Sequence, residues 1–138
     1  MKQIKLAVIP GDGVGVEIMP YATKVLDAVA DLHGGLKFEH EWYPYSCEYY
    51  LEHGEMMPKD GLDQLSQHDA VYLGAVGNPK LVADHISLWG LLINIRRGFK
   101  QTLNIRHAKQ LRGIQPMVTN PGGFDLIVVR ENSEGEYS

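Results

Sequence analysis

The chain reads as an α/β fold with mainly parallel early strands, and three observations predict it. A short β-favouring run, Ile4 to Ile9, stops at Pro10-Gly11 and gives way to helical periodicity. Strand-like and helix-like stretches then alternate as far as Gly98. Two glycine-rich loops each follow a strand-like run, at Gly11–Gly15 and at Gly74–Gly77.

Each element has its own signal. Ile4 to Ile9 reads as a buried strand. The apolar positions Ile18, Ala22, Val25, Leu26, Val29 and Leu32 fall at three- and four-residue steps and predict one helical face. His33-Gly34-Gly35 ends that helix, with glycine supplying a left-handed cap. Phe38 to Tyr43 predicts a second strand, Ser46 to Glu52 a short helix, and Asp60 to Gln67 another. Ala70 to Leu73 predicts a third strand that breaks at Gly74. Ser87 to Gly98 reads as a helix, apolar and then basic. Thr102 to Ile105 and Asp125 to Val129 read as further strands, with a turn at Asn120-Pro121-Gly122-Gly123 between them. A covering helix would normally follow Val129 in such a fold, so the sequence reads as cut off.

Composition bounds the function. With 138 residues, 44% apolar and 22% charged, the chain is an ordinary globular one. A net charge of -4 argues against a general nucleic-acid binder. The single cysteine, Cys47, excludes an intrachain disulfide and reads as a buried small residue. No segment has the length of a membrane span or signal core, and a cytoplasmic protein is the expectation.

Charge is unevenly placed. Met1 to Ile95 holds 13 acidic and 6 basic residues, whereas Arg96 to Phe124 holds six basic residues and no acid. Such a stretch is either a solvated basic face or an anion site.

Two features bear on that choice. Glycines 11, 13 and 15 lie between a strand and a helix, where backbone can come close to a ligand and helix N–H groups are exposed. The spacing is not the dinucleotide fingerprint, since Val16 stands where glycine or alanine is needed. Alone, such a turn is more often only a tight turn. The second loop, Leu73 to Pro79, follows the third strand and raises the prospect of a nucleotide site at the carboxyl ends of the strands. Arg96, Arg106 and Arg130 sit near a helix end and two strand ends. Guanidinium gives two-pronged, permanently charged binding of carboxylates. Tyr137 follows Arg130 by seven residues, and a phenol near guanidinium has its ionised form favoured. Any one of these arginines alone would read as a surface residue.

Taken together, IPGDGVG (Ile9 to Gly15), LGAVGNP (Leu73 to Pro79), SLWGLLINIRRGFKQTLNIR (Ser87 to Arg106) and VVRENSEGEYS (Val128 to Ser138) resemble the isocitrate/3-isopropylmalate dehydrogenase family. These are metal-dependent, NAD(P)-linked decarboxylating dehydrogenases. HISLWGLL followed by RRGFK, and Cys47-Glu48-Tyr49-Tyr50 before His53-Gly54, look most like its tartrate/D-malate branch.

The resemblance implies a three-layer α/β fold, here incomplete. Residues 1–100 correspond to the first half of a large cofactor-side domain. Residues 101–138 correspond to the beginning of a small substrate and dimerisation domain. It implies NAD-linked oxidative decarboxylation of a small 2-hydroxy dicarboxylic acid, D-malate or tartrate, with Mg or Mn and potassium as cofactors and a homodimer as the working state. The alternatives are a 3-isopropylmalate dehydrogenase-type enzyme and a non-catalytic nucleotide- or dicarboxylate-binding module.

Position by position, Arg96, Arg106 and Arg130 match the arginines that hold substrate carboxylate. Trp89 and Leu92 match the segment that fits the substrate tail, with Trp89 filling space that a larger tail takes elsewhere. Tyr137 matches the general acid that protonates the enol left by decarboxylation. Gly13, Ala75, Val76, Gly77 and Asn78 match the cofactor-lining loops. His107 departs from the usual proline, which predicts a looser strand there. The family's metal-binding aspartates and catalytic lysine have no counterpart in these 138 residues, so the isolated chain is expected to be inactive, to bind no metal of its own and to associate through its strand edges.

Overall fold

In the computed structural model, which describes residues 1–115 and 123–132, the first strand is the centre of a sheet. Strand β1 (Lys2–Gly11) pairs in parallel with β2 (Leu36–Trp42) on one side and with β3 (Ala70–Ala75) on the other, giving the order β2-β1-β3. Lys2 stands opposite Leu36 at one end of the first pairing, and Gly11 opposite Ala75 at one end of the second. The middle strand of a parallel sheet is covered on both faces. Leu6 to Ile9 accordingly form a continuous buried run.

Parallel neighbours need crossovers. Helix α1 (Val14–His33) connects β1 to β2, and α2 (Cys47–His53) and α3 (Gly61–Ser66) lie between β2 and β3. The left-handed cap expected at Gly34 is present, with φ 72° and its N–H donated to the Ala30 carbonyl at 2.9 Å. Ser46 caps α2, its hydroxyl accepting the Tyr49 N–H at 3.1 Å.

The apolar positions of α1 form two stripes rather than one face. Gly15, Met19, Thr23 and Ala30 are buried. Ala22 and Leu26 are half-buried and pack with Met19 against Leu6, Val8, Phe38 and Tyr72. Val14, Ile18, Tyr21, Val25, Val29 and Leu32 are exposed, Leu32 to 89%. The spacing rule counts both stripes together because each recurs at three- and four-residue steps.

Strand β3 runs through Gly74 to Ala75 rather than breaking there. The helix expected from Ser87 is also more broken: α4 (Asp84–Ser87) leads into a π-turn (Leu88–Leu92) and then α5 (Ile93–Gly98). A π-turn widens the helix locally by one residue, and such turns are frequent at functional sites. Gly90 sits within it, where a Cβ would stand 2.7 Å from Cγ of Met56.

At the end of β2, the Tyr43 hydroxyl donates to Oε1 of Glu41 at 2.9 Å, and Nε2 of His68 lies 3.0 Å from its Oε2. The Tyr45 hydroxyl donates to Gln64 at 2.8 Å.

The chain divides into two compact units, Met1–Ile95 and Arg96–Ser138. In the second, β4 (Leu103–Lys109) pairs antiparallel with β5 (Asp125–Glu131). His107 does not loosen β4. It lies inside the strand opposite Ile127, with Nε2 2.6 Å from Oδ1 of Asp125, and Lys109 Nζ reaches the other oxygen at 2.7 Å. The turn expected at 120–122 lies outside the described residues. Among the described residues no helix is long and apolar enough to cross a membrane.

Candidate functional site

In the first unit the two glycine loops close on each other through backbone. Gly11 has φ +73°, and a Cβ there would collide with the Ala75 carbonyl oxygen. A Cβ on Gly15 would collide with the Pro10 carbonyl and stand 2.7 Å from the Ala75 nitrogen. These glycines serve loop-to-loop packing. Gly13 is different: φ is +51°, its residue is exposed, and a Cβ would meet nothing within 4 Å. A ligand can therefore approach the backbone at Gly13, while Ala75, Val76, Gly77 and Asn78 are all half-buried beside the first loop.

Asp12 joins these segments, a role that reading the motif by its glycines passes over. It is 7% exposed. Its Oδ1 accepts the Cys47 N–H at 2.8 Å, its Oδ2 accepts the Gly77 N–H at 2.9 Å, and its own N–H donates to the Ala75 carbonyl at 2.6 Å. An acid flanked by two glycines in an otherwise apolar loop was the available signal. Cys47 is fully buried, as expected. Burial pushes its thiol pKa up, and a hydrogen bond to Asp12 adds to this. A thiol so held is a poor nucleophile.

Trp89 and Leu92 both lie in the π-turn; Trp89 is 46% exposed and Leu92 half-buried. A half-open indole can meet a ligand, whereas a core tryptophan could not.

In the second unit the structure brings two of the three arginines onto one sheet face. Arg130 on β5 stands opposite Asn104 on β4, and Arg106 is two residues further along β4. Side chains alternate along a strand, so Asn104, Arg106 and Arg130 share a face, with the arginines as diagonal neighbours. Nε–H of Arg106 donates to Oδ1 of Asn104 at 3.2 Å. Asn104 is a residue that the sequence did not single out. Arg96, in α5, lines a cavity of about 270 Å³ with Arg97, Lys100, Thr102 and Asn132. Its guanidinium environment is cationic, which suits an anionic ligand. Tyr137 lies outside the described residues. Among the described residues, no three His, Cys, Asp or Glu side chains gather so as to hold a metal ion.

Comparison with known proteins places the chain in a family. Residues 5–138 match the family model described as isocitrate/isopropylmalate dehydrogenase. The chain is 59% identical over 138 residues to a probable tartrate dehydrogenase/decarboxylase of Bacillus subtilis, covering all of this chain and 39% of the relative. It is 51% identical to a tartrate dehydrogenase/decarboxylase of Pseudomonas putida, over 97% of this chain and 37% of that protein. It is also 51% identical to a decarboxylating D-malate dehydrogenase of Escherichia coli, over all of this chain and 39% of that protein. The chain thus spans about two fifths of the length of the curated relatives it matches, and it belongs to the isocitrate/isopropylmalate dehydrogenase family.

Proposed function

We propose that this chain carries part of the site of an NAD-linked, metal-dependent oxidative decarboxylation of D-malate or tartrate. The observation that carries the reading is the shared sheet face of Arg106 and Arg130, with Asn104 bonded to Arg106. Two guanidinium groups on one face can hold a carboxylate by paired hydrogen bonds, and Asn104 fixes the plane of one of them. Arg96 adds a further cation for the second carboxylate. Trp89 and Leu92, in the first unit, match by resemblance the segment that fits a substrate's tail, which favours a four-carbon acid over a branched one. The open backbone at Gly13 and the half-buried Ala75–Asn78 loop suit a nucleotide cofactor, which when bound supplies the hydride acceptor. Tyr137 is the proton donor in this reading. The described residues do not fit a divalent ion, since no three His, Cys, Asp or Glu side chains among them gather to hold one.

We further propose that the isolated 138-residue chain does not turn over and that the working enzyme is a cytoplasmic homodimer. The test is a hybrid in which this chain replaces the matching segment of the Bacillus subtilis relative. NADH production from D-malate or tartrate, with NAD, Mn and potassium ions, is the expected result. A folded hybrid that is inert with both acids sinks the reading. The chain alone, assayed the same way, is expected to give no NADH.

A further inference from the structure

We propose that Asp12 is a positioning residue that sets the shape of the Ala75–Asn78 loop by gripping it at two points. Its N–H holds the Ala75 carbonyl, and its Oδ2 holds the Gly77 amide, at 2.6 and 2.9 Å. Its other oxygen holds the Cys47 amide at the first residue of α2, at 2.8 Å. One side chain thus ties together three segments of the first unit: the glycine loop, the start of α2 and the loop after β3.

The geometry has a physical reason. Beyond Ala75 the chain leaves the β ladder, so its backbone groups need new partners. Gly77 has φ +113°, a conformation that its own side chain cannot enforce because it has none. The constraint must come from outside the loop, and the buried carboxylate supplies it. Asp12 itself has left water, and N–H donors on both oxygens make that burial tolerable. Asparagine would keep the shape but present one acceptor where two are used.

The consequence for binding rests on the cofactor reading of the 75–78 loop; the grip itself does not. The test uses the isotope-labelled 138-residue chain, as wild type, Asp12→Asn and Leu65→Ala, observed through its amide NMR signals. Leu65 is buried in α3 and, making no part of the Asp12 hydrogen bonds, serves as a destabilised control. In Asp12→Asn the amides of Cys47 and of residues 75–78 are expected to shift by more than a linewidth, while those of Ile4 and Phe38 in the β1–β2 pairing hold still. Leu65→Ala is expected to leave 75–78 in place. Titrated with NAD, Asp12→Asn should bind about tenfold more weakly, the size expected when a hydrogen bond to a charged group is lost, and Leu65→Ala within about twofold of wild type.

Unmoved 75–78 amides in Asp12→Asn overturn the inference, whatever NAD does. Should that variant not fold, scalar couplings across the hydrogen bonds decide in the wild type. Couplings from the Cys47 and Gly77 nitrogens to Cγ of Asp12 support the grip, and their absence overturns it. A wild-type chain that ignores NAD, with the loop still shifting in Asp12→Asn, overturns the cofactor reading and supports the grip.

Discussion

A Cβ on Gly74 would collide with the carbonyl oxygen of Pro10 and stand 2.9 Å from Cγ of Met19. Glycine at this point lets β3 continue past the first loop instead of ending at it. Gly74→Ala is expected to lower the stability of the first unit by about 3 kcal/mol, because the clash is with backbone that cannot rotate away. Urea unfolding followed by far-UV circular dichroism checks it. A change below about 0.5 kcal/mol would show that the two loops part easily.

Tyr43 and Tyr45 resist ionisation. Burial pushes both phenols up to about 12, and the bond to Glu41 adds to the effect at Tyr43. Below about pH 10 both are neutral in the folded and unfolded chain alike. Above it the unfolded chain ionises them and the folded one does not, so stability falls as pH rises from about 10 towards about 12. Absorbance at 295 nm should show a late component that Tyr43→Phe and Tyr45→Phe each reduce. A titration curve that neither substitution changes at high pH would contradict the packing described.

The acid side has the opposite sign. The Tyr43 hydroxyl, and then His68, hold the Glu41 carboxyl below its ordinary 4.5; Lys109, and then His107, hold Asp125 below 3.8. Each contribution is present above the ordinary value and is lost as pH falls through the lowered one. Tyr43→Phe should bring the Glu41 midpoint back up, read from side-chain carbon shifts in an NMR titration. An unchanged midpoint would remove the phenol as the main cause.

The arginines call for geometry as well as charge. In the hybrid enzyme, Arg130→Lys is expected to weaken D-malate or tartrate binding by about tenfold, since an ammonium cannot offer the paired donors of guanidinium. Asn104→Ala should weaken it less and act through Arg106. Steady-state KM values for the acid decide; equal losses at both positions would mean that Asn104 meets the substrate itself.

Trp89 sets size. Trp89→Ala in the same hybrid should raise the relative rate with branched 2-hydroxy dicarboxylic acids by about tenfold, within the range that pocket size alone supplies. No gain with any larger acid would place the size limit elsewhere.

Much of the first unit was legible because local signals agreed. Ile4–Ile9, the Gly34 cap and Ser46 each name their element by a mechanism that needs no tertiary context. The α1 stripes were not separable, because Val25 and Leu26 obey the same spacing and only the sheet decides which one is covered. The continuation of β3 through Gly74 depends on a close approach from Pro10, which lies more than sixty residues away. The π-turn at Leu88–Leu92 has no pattern of its own in an apolar run. At the candidate site, the loops and arginines could be read from motif and chemistry. Asn104 could not, since its role comes from strand register; for Asp12 the flanking glycines were a hint, but its partners are backbone groups remote in sequence.

The three-way hold of Asp12 also bears on the order of folding. Its partners lie 35, 63 and 65 residues down the chain, and both parallel pairings of β1 close long loops as well. Such closures come late because their entropy must be offset before any contact rewards it. The turn after β3 is therefore among the last pieces of the first unit to take shape. Protection of the Gly77 amide in a refolding experiment should mark the moment at which that unit is complete.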